Sequence, residues 1–253
     1  MKISVITAAW KSEATIGDAI ASVAAQTYPN LEHLIIEGNS GGGTLAAIER
    51  AAHHRMRLIS EPDKGIYDAL NKGIQNATGD VIGFIHSDDF LAHDQVLARI
   101  AKAFEDPEVE AVFSDLDYVA QADTSCVIRH WTTGPFTREK LQRGWMPAHP
   151  TLYVRRSVYD QHGLYDTGFH IAADYDFILR YFSRLKGRTV YIPEVLYKMR
   201  VGGVSNRSLA KICQKMAEDL RALRRNKVGG VSTLACKNLS KLGQFVQRSG
   251  DNG

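Results

Sequence analysis

Residues 61–89 read EPDKGIYDALNKGIQNATGDVIGFIHSDD, and this stretch decides how the rest of the chain is interpreted. Between positions 66 and 74, apolar residues recur at helical spacing, which predicts a helix. Residues 81–85 are a short apolar run that predicts a buried strand. The acidic pair Asp88 and Asp89 follows that strand directly. We therefore expect a helix, a buried strand and an acidic cluster where the strand ends.

The segment before residue 61 alternates between strand and helix patterns in the same way. Its predicted elements are residues 3–7, 16–23, 33–37, 44–54 and 57–60. This alternation indicates βαβ units and hence an α/β fold, with a mainly parallel, Rossmann-like sheet flanked by helices. Such sheets bind ligands at the carboxyl ends of their strands. Polar clusters at residues 7–13, 37–44 and 86–89 fall at those ends, so we expect a nucleotide-type pocket there.

The second half of the chain has a less regular strand pattern and an amphipathic helix near residues 174–185. The length of 253 residues favours one large domain with a small extension over two equal domains. We expect the large domain to span residues 1–206, with a nucleotide-binding half at 1–115 and an acceptor-side half at 116–206. A helical C-terminal extension would then cover residues 207–253.

The predicted extension is strongly basic, with ten Lys and Arg residues against three Asp and Glu residues. Its first predicted helix, residues 208–226, carries an apolar stripe on a basic background. The stripe consists of Leu209, Ile212, Met216, Leu220 and Leu223. Such a helix can lie on an anionic membrane surface, pack on the catalytic domain or pair with another subunit. The sequence leaves these three alternatives open and predicts no oligomeric state.

Several features bear on the compartment of the protein. No run of about 18 apolar residues occurs, so no membrane-spanning helix is predicted. The N-terminal apolar run is too short for a secretory signal. Cys126, Cys213 and Cys236 are widely spaced, which is typical of reduced thiols. We expect a cytoplasmic protein, with peripheral contact at the inner face of the cell membrane as the alternative that the basic helix leaves open.

The acidic pair Asp88 and Asp89 is a candidate metal site. Breaking a bond to a diphosphate leaving group develops negative charge, which Mg²⁺ or Mn²⁺ held by one or two carboxylates can neutralise. The alternative, judged on spacing alone, is that the pair caps the helix that follows.

The ordered series of motifs resembles family 2 glycosyltransferases of the GT-A fold, of the bacterial polysaccharide or colanic-acid biosynthesis type. The likeness covers about residues 3–206, and residues 61–89 carry its most specific part. Its other motifs are Ser4-Val5-Ile6-Thr7, Gln26-Thr27-Tyr28 and Glu37-Gly38-Asn39-Ser40. The resemblance implies an inverting hexosyl- or N-acetylhexosaminyltransferase. Its donor would be a UDP-sugar, and its acceptor a hydroxyl of a glycan or lipid-linked molecule in cell-surface polysaccharide synthesis.

The resemblance also implies roles for individual residues on the donor side. Glu37 would read the uracil edge, and Asp88 matches the metal-binding aspartate that ends the D-x-D motif, with Asp89 beside it. Arg200, in the segment that matches the closing loop at residues 199–205, would contact the diphosphate. The remaining implied donor-site residues are Thr7, Ala9, Trp10, Glu13, Asp63 and Lys64.

On the acceptor side, Asp174 falls where the family places its general base. An inverting transfer must remove the proton of the attacking hydroxyl, and a helix N-terminus favours an ionised carboxylate. Asp176 would lie behind Asp174 or pair with Arg180, because positions two apart do not share a helix face. His149 could contact the acceptor or the donor sugar, or have a structural role.

Four positions depart from the family pattern. Glu37 replaces an aspartate, Gly42 removes a carboxylate, and His86 stands at the first acidic position of the D-x-D. Ala9 occupies the place of a base-stacking aromatic, for which Trp10 could substitute. These departures support an alternative: a non-catalytic nucleotide-sugar binding module with an eroded site.

Two other classes of protein are not expected. A Rossmann dehydrogenase would carry G-x-G-x-x-G after the first strand, whereas here a glycine cluster at residues 38–43 follows the second. No nucleic-acid partner is predicted either, because the basic residues are concentrated in the extension and form no recognisable module.

Overall fold

The structure is a computed structural model that describes residues 1–201 and 209–243. Within these ranges one nine-stranded sheet is flanked by helices. The strands are β1 (Ile3–Ala9), β2 (Leu31–Glu37), β3 (Met56–Ser60), β4 (Val81–Phe84), β5 (Phe90–Leu91), β6 (Val109–Val119), β7 (Val127–Trp131), β8 (Tyr153–Arg155) and β9 (Arg188–Arg200).

The helices follow the strands closely in the first half of the chain and cluster together near its end. They are α1 (Ile16–Ala24), α2 (Gly42–Arg50), α3 (Ile66–Asn76), α4 (Val96–Ala103), α5 (Arg138–Gln142), α6 (Arg156–His162), α7 (Ala173–Phe182), α8 (Leu209–Arg225) and α9 (Val231–Gly243). A short 3-10 helix spans His149–Thr151.

The sheet has the strand order β3-β2-β1-β4-β8-β6-β9-β5, and β7 pairs with β6 at the side of this path. The first four strands in that order are parallel, as the βαβ pattern predicts. The remainder is mixed, because β8 runs antiparallel to both β4 and β6 while β9 is parallel to β6. A short turn joins β6 to β7, and such a connection permits only antiparallel neighbours. The predicted α/β fold is confirmed, with parallel pairing as the rule only in its first half.

Helix α3 is positioned by close contact with the sheet. Its inward residues Leu70 and Ile74 are buried. A Cβ at Gly73 would lie 2.4 Å from Cγ2 of Ile6 on β1, so only glycine permits this approach. The contact brings the first turn of α3, with Tyr67, to the carboxyl ends of the parallel strands.

The C-terminal helices pack against the main apolar core of the protein. Ala222 and Leu223 of α8 are fully buried in the main apolar core. Asp219 of α8 and Lys237 of α9 form a buried ion pair at 2.9 Å. By contrast, Ile212 and Met216 on the first half of α8 are 44% and 43% exposed. Of the three alternatives for this helix, packing on the catalytic domain holds for its second half, and the first half keeps part of the apolar stripe exposed.

Three predicted features lie wholly or partly outside the described residues. These are residues 202–205 of the expected closing loop, residue 208 at the start of the helix predicted at 208–226, and the end of the chain after residue 243. Across residues 1–201 and 209–243, no helix combines the length and apolar character needed to cross a bilayer.

Candidate active site

The carboxyl ends of β1, β2 and β3 bring three predicted donor-site segments together. Gly38 follows β2, and a Cβ there would lie 2.3 Å from Oδ2 of Asp63 and 2.9 Å from Cε3 of Trp10. Trp10 follows β1, and Asp63 lies in the loop after β3. The three segments therefore meet at one groove, as their places at strand ends predict.

Trp10 provides the exposed aromatic surface of this groove. Its side chain is 55% exposed, whereas Ala9 is buried. The neighbouring Lys11 has a φ of 48° and places its Nζ 5.8 Å from the Trp10 ring centroid. A left-handed conformation is uncommon for lysine, so the backbone turns sharply here and presents the indole to solvent. Trp10 can thus take the stacking role that Ala9 cannot.

Glu37 is fully engaged with its own loop. Its side chain is 0% exposed, and Oε1 accepts hydrogen bonds from the Ser40 amide and hydroxyl at 2.7 and 2.6 Å. Oε2 accepts from the Asn39 amide at 2.9 Å and the Ser60 hydroxyl at 2.7 Å. Burial raises the pKa of Glu37, but these four bonds outweigh it and lower the pKa. A carboxylate offers about four acceptor positions, so contact with a base would require one of these bonds to break.

The other predicted nucleotide-site residues differ in accessibility. Thr7 is buried, and its hydroxyl is hydrogen-bonded to Nε2 of His33 at 2.9 Å, so it forms part of the floor. Glu13 is exposed and accepts a hydrogen bond from the Thr44 hydroxyl at 3.1 Å. Lys64 is exposed at the entrance of α3, and Asp63 Oδ1 accepts from the Gly65 amide at 2.8 Å. Glu13 and Lys64 are thus exposed, Asp63 is half-buried and Thr7 is buried.

Asp88 lies just beyond β4 and is half-buried. Within residues 1–201 and 209–243, no group donates a hydrogen bond to its carboxylate, whereas its backbone carbonyl accepts one from Arg200 Nη1 at 2.7 Å. His86 stands beside it, and the His86 ring stacks on His149 with centroids 6.2 Å apart. Burial lowers the pKa of His86, while the charges of Asp88 and Asp174 act in the opposite sense. The imidazole is therefore close to both carboxylates.

Asp89 does not meet the prediction that it binds the metal. Its side chain is 0% exposed; Oδ2 accepts from the Tyr197 hydroxyl at 3.1 Å and Oδ1 from the Arg200 amide at 2.9 Å. Burial, and then the charge of Asp88, raise the pKa of Asp89 well above its usual range. Adjacent residues point in different directions, and here the second carboxylate points inward and ties β9 to the end of β4.

Arg200 is placed next to the predicted metal ligand. Its guanidinium donates to the Asp88 carbonyl, pairs with the carboxylate of Asp18, and lies 5.1 Å from the Phe90 ring centroid. Asp18 is exposed at the surface of α1. A diphosphate bound at Asp88 would therefore lie within reach of this arginine, in competition with Asp18.

Asp174 is the second residue of α7 and faces the same site. The Tyr67 hydroxyl lies 3.1 Å from Asp174 Oδ1 and 2.8 Å from the Ile171 carbonyl oxygen, and its proton can serve either acceptor. Burial, and then the Asp174 charge, raise the pKa of Tyr67, so the phenol remains protonated. The sequence prediction missed this partner of Asp174, although Tyr67 lies within the most specific motif.

His149 forms the buried wall between these groups. Its Nε2 is hydrogen-bonded to the Tyr165 hydroxyl at 2.8 Å, and its ring stacks on Phe84 at 5.5 Å. Burial lowers the pKa of His149 to about 4, against the opposing charge of Asp174. The imidazole is thus neutral at neutral pH and packs behind His86.

Asp176, predicted on the acceptor side behind Asp174 or paired with Arg180, lies buried behind Asp174. Asp176 is 0% exposed, and its Oδ1 accepts a hydrogen bond from Asn226 Nδ2 at 2.9 Å. Its Oδ2 lies 3.5 Å from Nη2 of Arg180, which confirms the predicted pairing with that arginine. The residue faces away from Asp174 into the contact with α8, as positions two apart on a helix require.

The residues at the end of β4 could hold a metal ion only together with ligands from a bound substrate. In the part of the chain that the structure describes, no group of three or more His, Cys, Asp or Glu side chains could hold one. Mg²⁺ and Mn²⁺ are, however, commonly held by one or two carboxylates together with substrate phosphates. Asp88 supplies one such carboxylate, and His86 adds an imidazole, which is a softer ligand.

The sheet and its flanking helices have the arrangement of the GT-A glycosyltransferase fold. Residues 4–163 match the family model described as Glycosyl transferase family 2, so the chain belongs to that family. The sequence-based resemblance is thereby confirmed at the level of family and fold.

Proteins with related sequences are also glycosyltransferases. A glycosyltransferase from Mycobacterium tuberculosis is 33% identical over 182 residues, which cover 70% of this chain and 68% of the relative. A PGL/p-HBAD biosynthesis glycosyltransferase from Mycobacterium bovis is 30% identical over 197 residues, covering 76% of this chain and 75% of the relative.

Solved structures share the fold at low sequence identity. S. aureus TarS in complex with UDP-GlcNAc aligns with a TM-score of 0.69 at 17% identity, over 90% of this chain and 66% of that chain. In a further TarS structure the match covers only 43% of the TarS chain. The mannosyltransferase PcManGT from Pyrobaculum calidifontis, in complex with GDP-Man and Mn²⁺, aligns with a TM-score of 0.63 at 17% identity, over 98% of this chain and 76% of that chain.

Proposed function

We propose that this glycosyltransferase inverts the anomeric centre as it moves a hexosyl or N-acetylhexosaminyl group from a UDP-sugar to an acceptor hydroxyl. The observation that carries the proposal is the shared location of Asp88, His86 and Asp174. The ring of His86, two residues before Asp88, stacks on His149, and His149 is linked through Tyr165 and Tyr67 to Asp174. A donor-side and an acceptor-side carboxylate at one site are the minimum that the reaction needs.

The donor groove supports a nucleoside diphosphate sugar. Trp10 offers a stacking surface for a base, and the half-buried Asp63 lies beside Gly38 next to it. The structural neighbours bind UDP-GlcNAc in one case and GDP-Man in another. The family pattern at residues 37–40 favours uridine, although the saturated Glu37 carboxylate leaves the base contact to neighbouring groups.

Asp88, with His86 beside it, would hold the divalent metal, Mn²⁺ or Mg²⁺. When bound, such an ion supplies positive charge to the diphosphate as it leaves. Arg200 adds a second positive group next to Asp88. Asp89 contributes indirectly, because it fixes the Arg200 backbone through a 2.9 Å hydrogen bond.

Asp174 would act as the general base. As the acceptor oxygen forms its bond to the anomeric carbon, the bond from that carbon to the diphosphate oxygen breaks, and Asp174 takes the acceptor proton. Tyr67 holds Oδ1 of Asp174 from one side, which leaves Oδ2 for the acceptor hydroxyl. The helix dipole of α7 favours the ionised carboxylate before the transfer.

The acceptor would be a glycan or a lipid-linked molecule used in cell-surface polysaccharide synthesis, by the resemblance to enzymes of that type. The exposed Ile212 and Met216 on α8, flanked by Lys211 and Lys215, support peripheral contact with an anionic membrane. Sedimentation with anionic vesicles should carry down the wild type and leave the Ile212→Ser/Met216→Ser double variant in solution. Equal partitioning of the two proteins would contradict the membrane contact.

The donor assignment is tested by calorimetric titration of UDP and of GDP into the wild type, with and without Mn²⁺. We expect UDP to bind more tightly than GDP, and its binding to weaken without Mn²⁺ or in Asp88→Ala. Tighter GDP binding would contradict the uridine assignment. Nucleotide binding without turnover of any donor would instead favour the eroded, non-catalytic module.

A further inference from the structure

The first turn of α7 is held by groups from elsewhere in the chain. The amide groups that precede and open a helix have no carbonyl partner within the helix itself. Ala172 is the N-cap residue of α7 and contributes no side-chain oxygen. The amides at this helix start therefore need acceptors from other elements, and Asp174 is carried on the turn that those acceptors fix.

Glu218 of α8 provides the main acceptor. Its carboxylate receives hydrogen bonds from the backbone amides of His170, Ile171 and Ala172, with Oε2 at 3.1, 2.8 and 3.0 Å. Gln214, one turn earlier on α8, donates to Oε1 at 3.0 Å. Burial raises the pKa of Glu218, but the three backbone bonds outweigh it and lower the pKa. One buried, ionised carboxylate thus caps three consecutive amides.

The capped segment connects directly to the proposed base. The amide of Ile171 is bound to Glu218, and the carbonyl oxygen of the same residue accepts from the Tyr67 hydroxyl at 2.8 Å. That hydroxyl also lies 3.1 Å from Oδ1 of Asp174. The Tyr67 hydroxyl has one proton for these two acceptors, so Glu218 is linked to Asp174 through the backbone of Ile171 and the position that this backbone gives the Tyr67 hydroxyl.

A second bond from α8 supports the same turn of α7. Asn226, just beyond the end of α8, donates to Oδ1 of the fully buried Asp176 at 2.9 Å. Asp176 and Asp174 lie on the same turn of α7 and face different directions. The C-terminal end of α8 therefore contacts the first turn of α7 on the side of Asp176, away from Asp174.

We infer that Glu218 is a positioning residue for the transfer: it fixes the backbone at residues 170–172 and so holds Tyr67 and Asp174 in register. This inference rests on the proposed function, in which Asp174 takes the acceptor proton. It assigns the C-terminal helix a part in the chemistry that its basic, extension-like sequence does not suggest. Glu218 is buried, and it acts through the segment that it caps.

The test measures nucleoside diphosphate release by the full chain from UDP-GlcNAc or GDP-mannose, whichever the wild type turns over. Glu218→Ala should lower kcat by about tenfold to a hundredfold, the loss expected when a catalytic group is misplaced, and should leave the donor KM nearly unchanged. Glu218→Gln keeps one acceptor oxygen and should recover part of that loss. Hydrogen exchange at the amides of residues 170–172 should accelerate in Glu218→Ala.

Thr233→Val is the matched control. Thr233 lies on α9 in the same C-terminal unit and donates to the Gln142 carbonyl at 3.0 Å, with no hydrogen bond to α7. We expect it to lower the melting temperature while kcat and exchange at residues 170–172 stay at wild-type values. If Glu218 had only a structural role, Glu218→Ala and Thr233→Val would show the same kcat at an equal loss of stability. That result would overturn the inference.

Asp174→Asn separates this inference from the proposed function. If Asp174→Asn is inactive and Glu218→Ala keeps full kcat, the positioning role is wrong and the proposed base stands. If Asp174→Asn keeps full kcat, the proposed base is wrong and the positioning role falls with it. Unchanged exchange at residues 170–172 in Glu218→Ala would contradict the capping role whatever the kinetics.

Discussion

The Tyr67 hydroxyl lies 3.1 Å from Oδ1 of Asp174, and this contact joins the first turn of α3 to the first turn of α7. The two residues are 107 positions apart in the chain. Tyr67 lies in the predicted nucleotide-binding half and Asp174 in the predicted acceptor-side half of the chain. The contact thus connects the donor groove to the proposed base.

Removing this hydroxyl should impair the transfer more than the fold. In Tyr67→Phe the ring still fills its place, but Asp174 loses its hydrogen-bond donor and its orientation. We expect kcat to fall about tenfold with the donor KM unchanged, because a misoriented base affects only the chemical step. Steady-state nucleotide release would measure this. Tyr153→Phe, a change of a buried tyrosine on β8 whose hydroxyl has no hydrogen-bond partner among the described residues, is the control, and equal losses in both variants would argue against the pairing.

The two adjacent aspartates should behave differently. Asp88→Asn removes the half-buried carboxylate and should abolish the Mn²⁺-dependent part of UDP binding. Asp89→Asn keeps an oxygen for the Arg200 amide and should retain that dependence, because Asp89 is buried and engaged within the protein. Titration calorimetry of both variants provides the comparison. Loss of the metal dependence in Asp89→Asn alone would reverse the assignment.

Trp10 should dominate the affinity for the base. Stacking of a base on an aromatic side chain contributes about 1–3 kcal/mol, so Trp10→Ala should raise the Kd for UDP about tenfold. Trp10→Phe should retain most of the affinity. Ile128→Ala, an exposed apolar change on β7, serves as the control. Wild-type affinity in Trp10→Ala would show that the base stacks elsewhere.

Buried histidines should make stability depend on pH. Burial lowers the pKa of His33 to about 3 and that of His149 to about 4, whereas an imidazole in the unfolded chain titrates near 6.5. Between those values the unfolded state binds more protons, so the free energy of unfolding falls as the pH is lowered from 6.5 to about 4. For His149 the loss is on the order of 3 kcal/mol.

Urea unfolding at a series of pH values would measure this effect. The pH dependence should become shallower in His33→Gln, which has no group to protonate in this range. His170→Gln, which changes an exposed imidazole, should leave the slope as it is in the wild type. An unchanged slope in His33→Gln would mean that His33 is not the neutral, buried group described here.

Much of the fold could be predicted because its signals are local. The alternation that predicted β1 to β4 depends on spacing within single elements, and helical crossovers impose parallel pairing on them. Strand β8 has only three residues and pairs with strands distant in sequence, so no local pattern revealed the mixed half of the sheet. The same limit hid the packing of α8. Of the stripe residues whose side chains the structure describes, Leu223 is buried and Leu220 is partly buried, whereas Ile212 and Met216 are exposed.

The sequence indicated which residue types lie near the candidate site. It did not indicate which of their side chains point toward the groove and which point into the interior. Asp89 and Asp176 have the sequence of site carboxylates, but their partners Tyr197 and Asn226 are 108 and 50 residues away. Whether a carboxylate faces the groove or the interior depends on such distant donors. Glu37 is different, because three of its four hydrogen bonds come from the next three residues. The sequence Glu37-Gly38-Asn39-Ser40 places these donors next to Glu37, and it indicates that the Glu37 carboxylate stabilises its own loop.

The central claim is that Asp174 removes the acceptor proton at a site whose donor is bound through other residues. The most direct test is turnover of the donor sugar by Asp174→Asn, measured as nucleoside diphosphate release beside calorimetric binding of the same nucleotide. We expect release to fall by at least about a hundredfold while the nucleotide binds with wild-type affinity. Full turnover by this variant would contradict it.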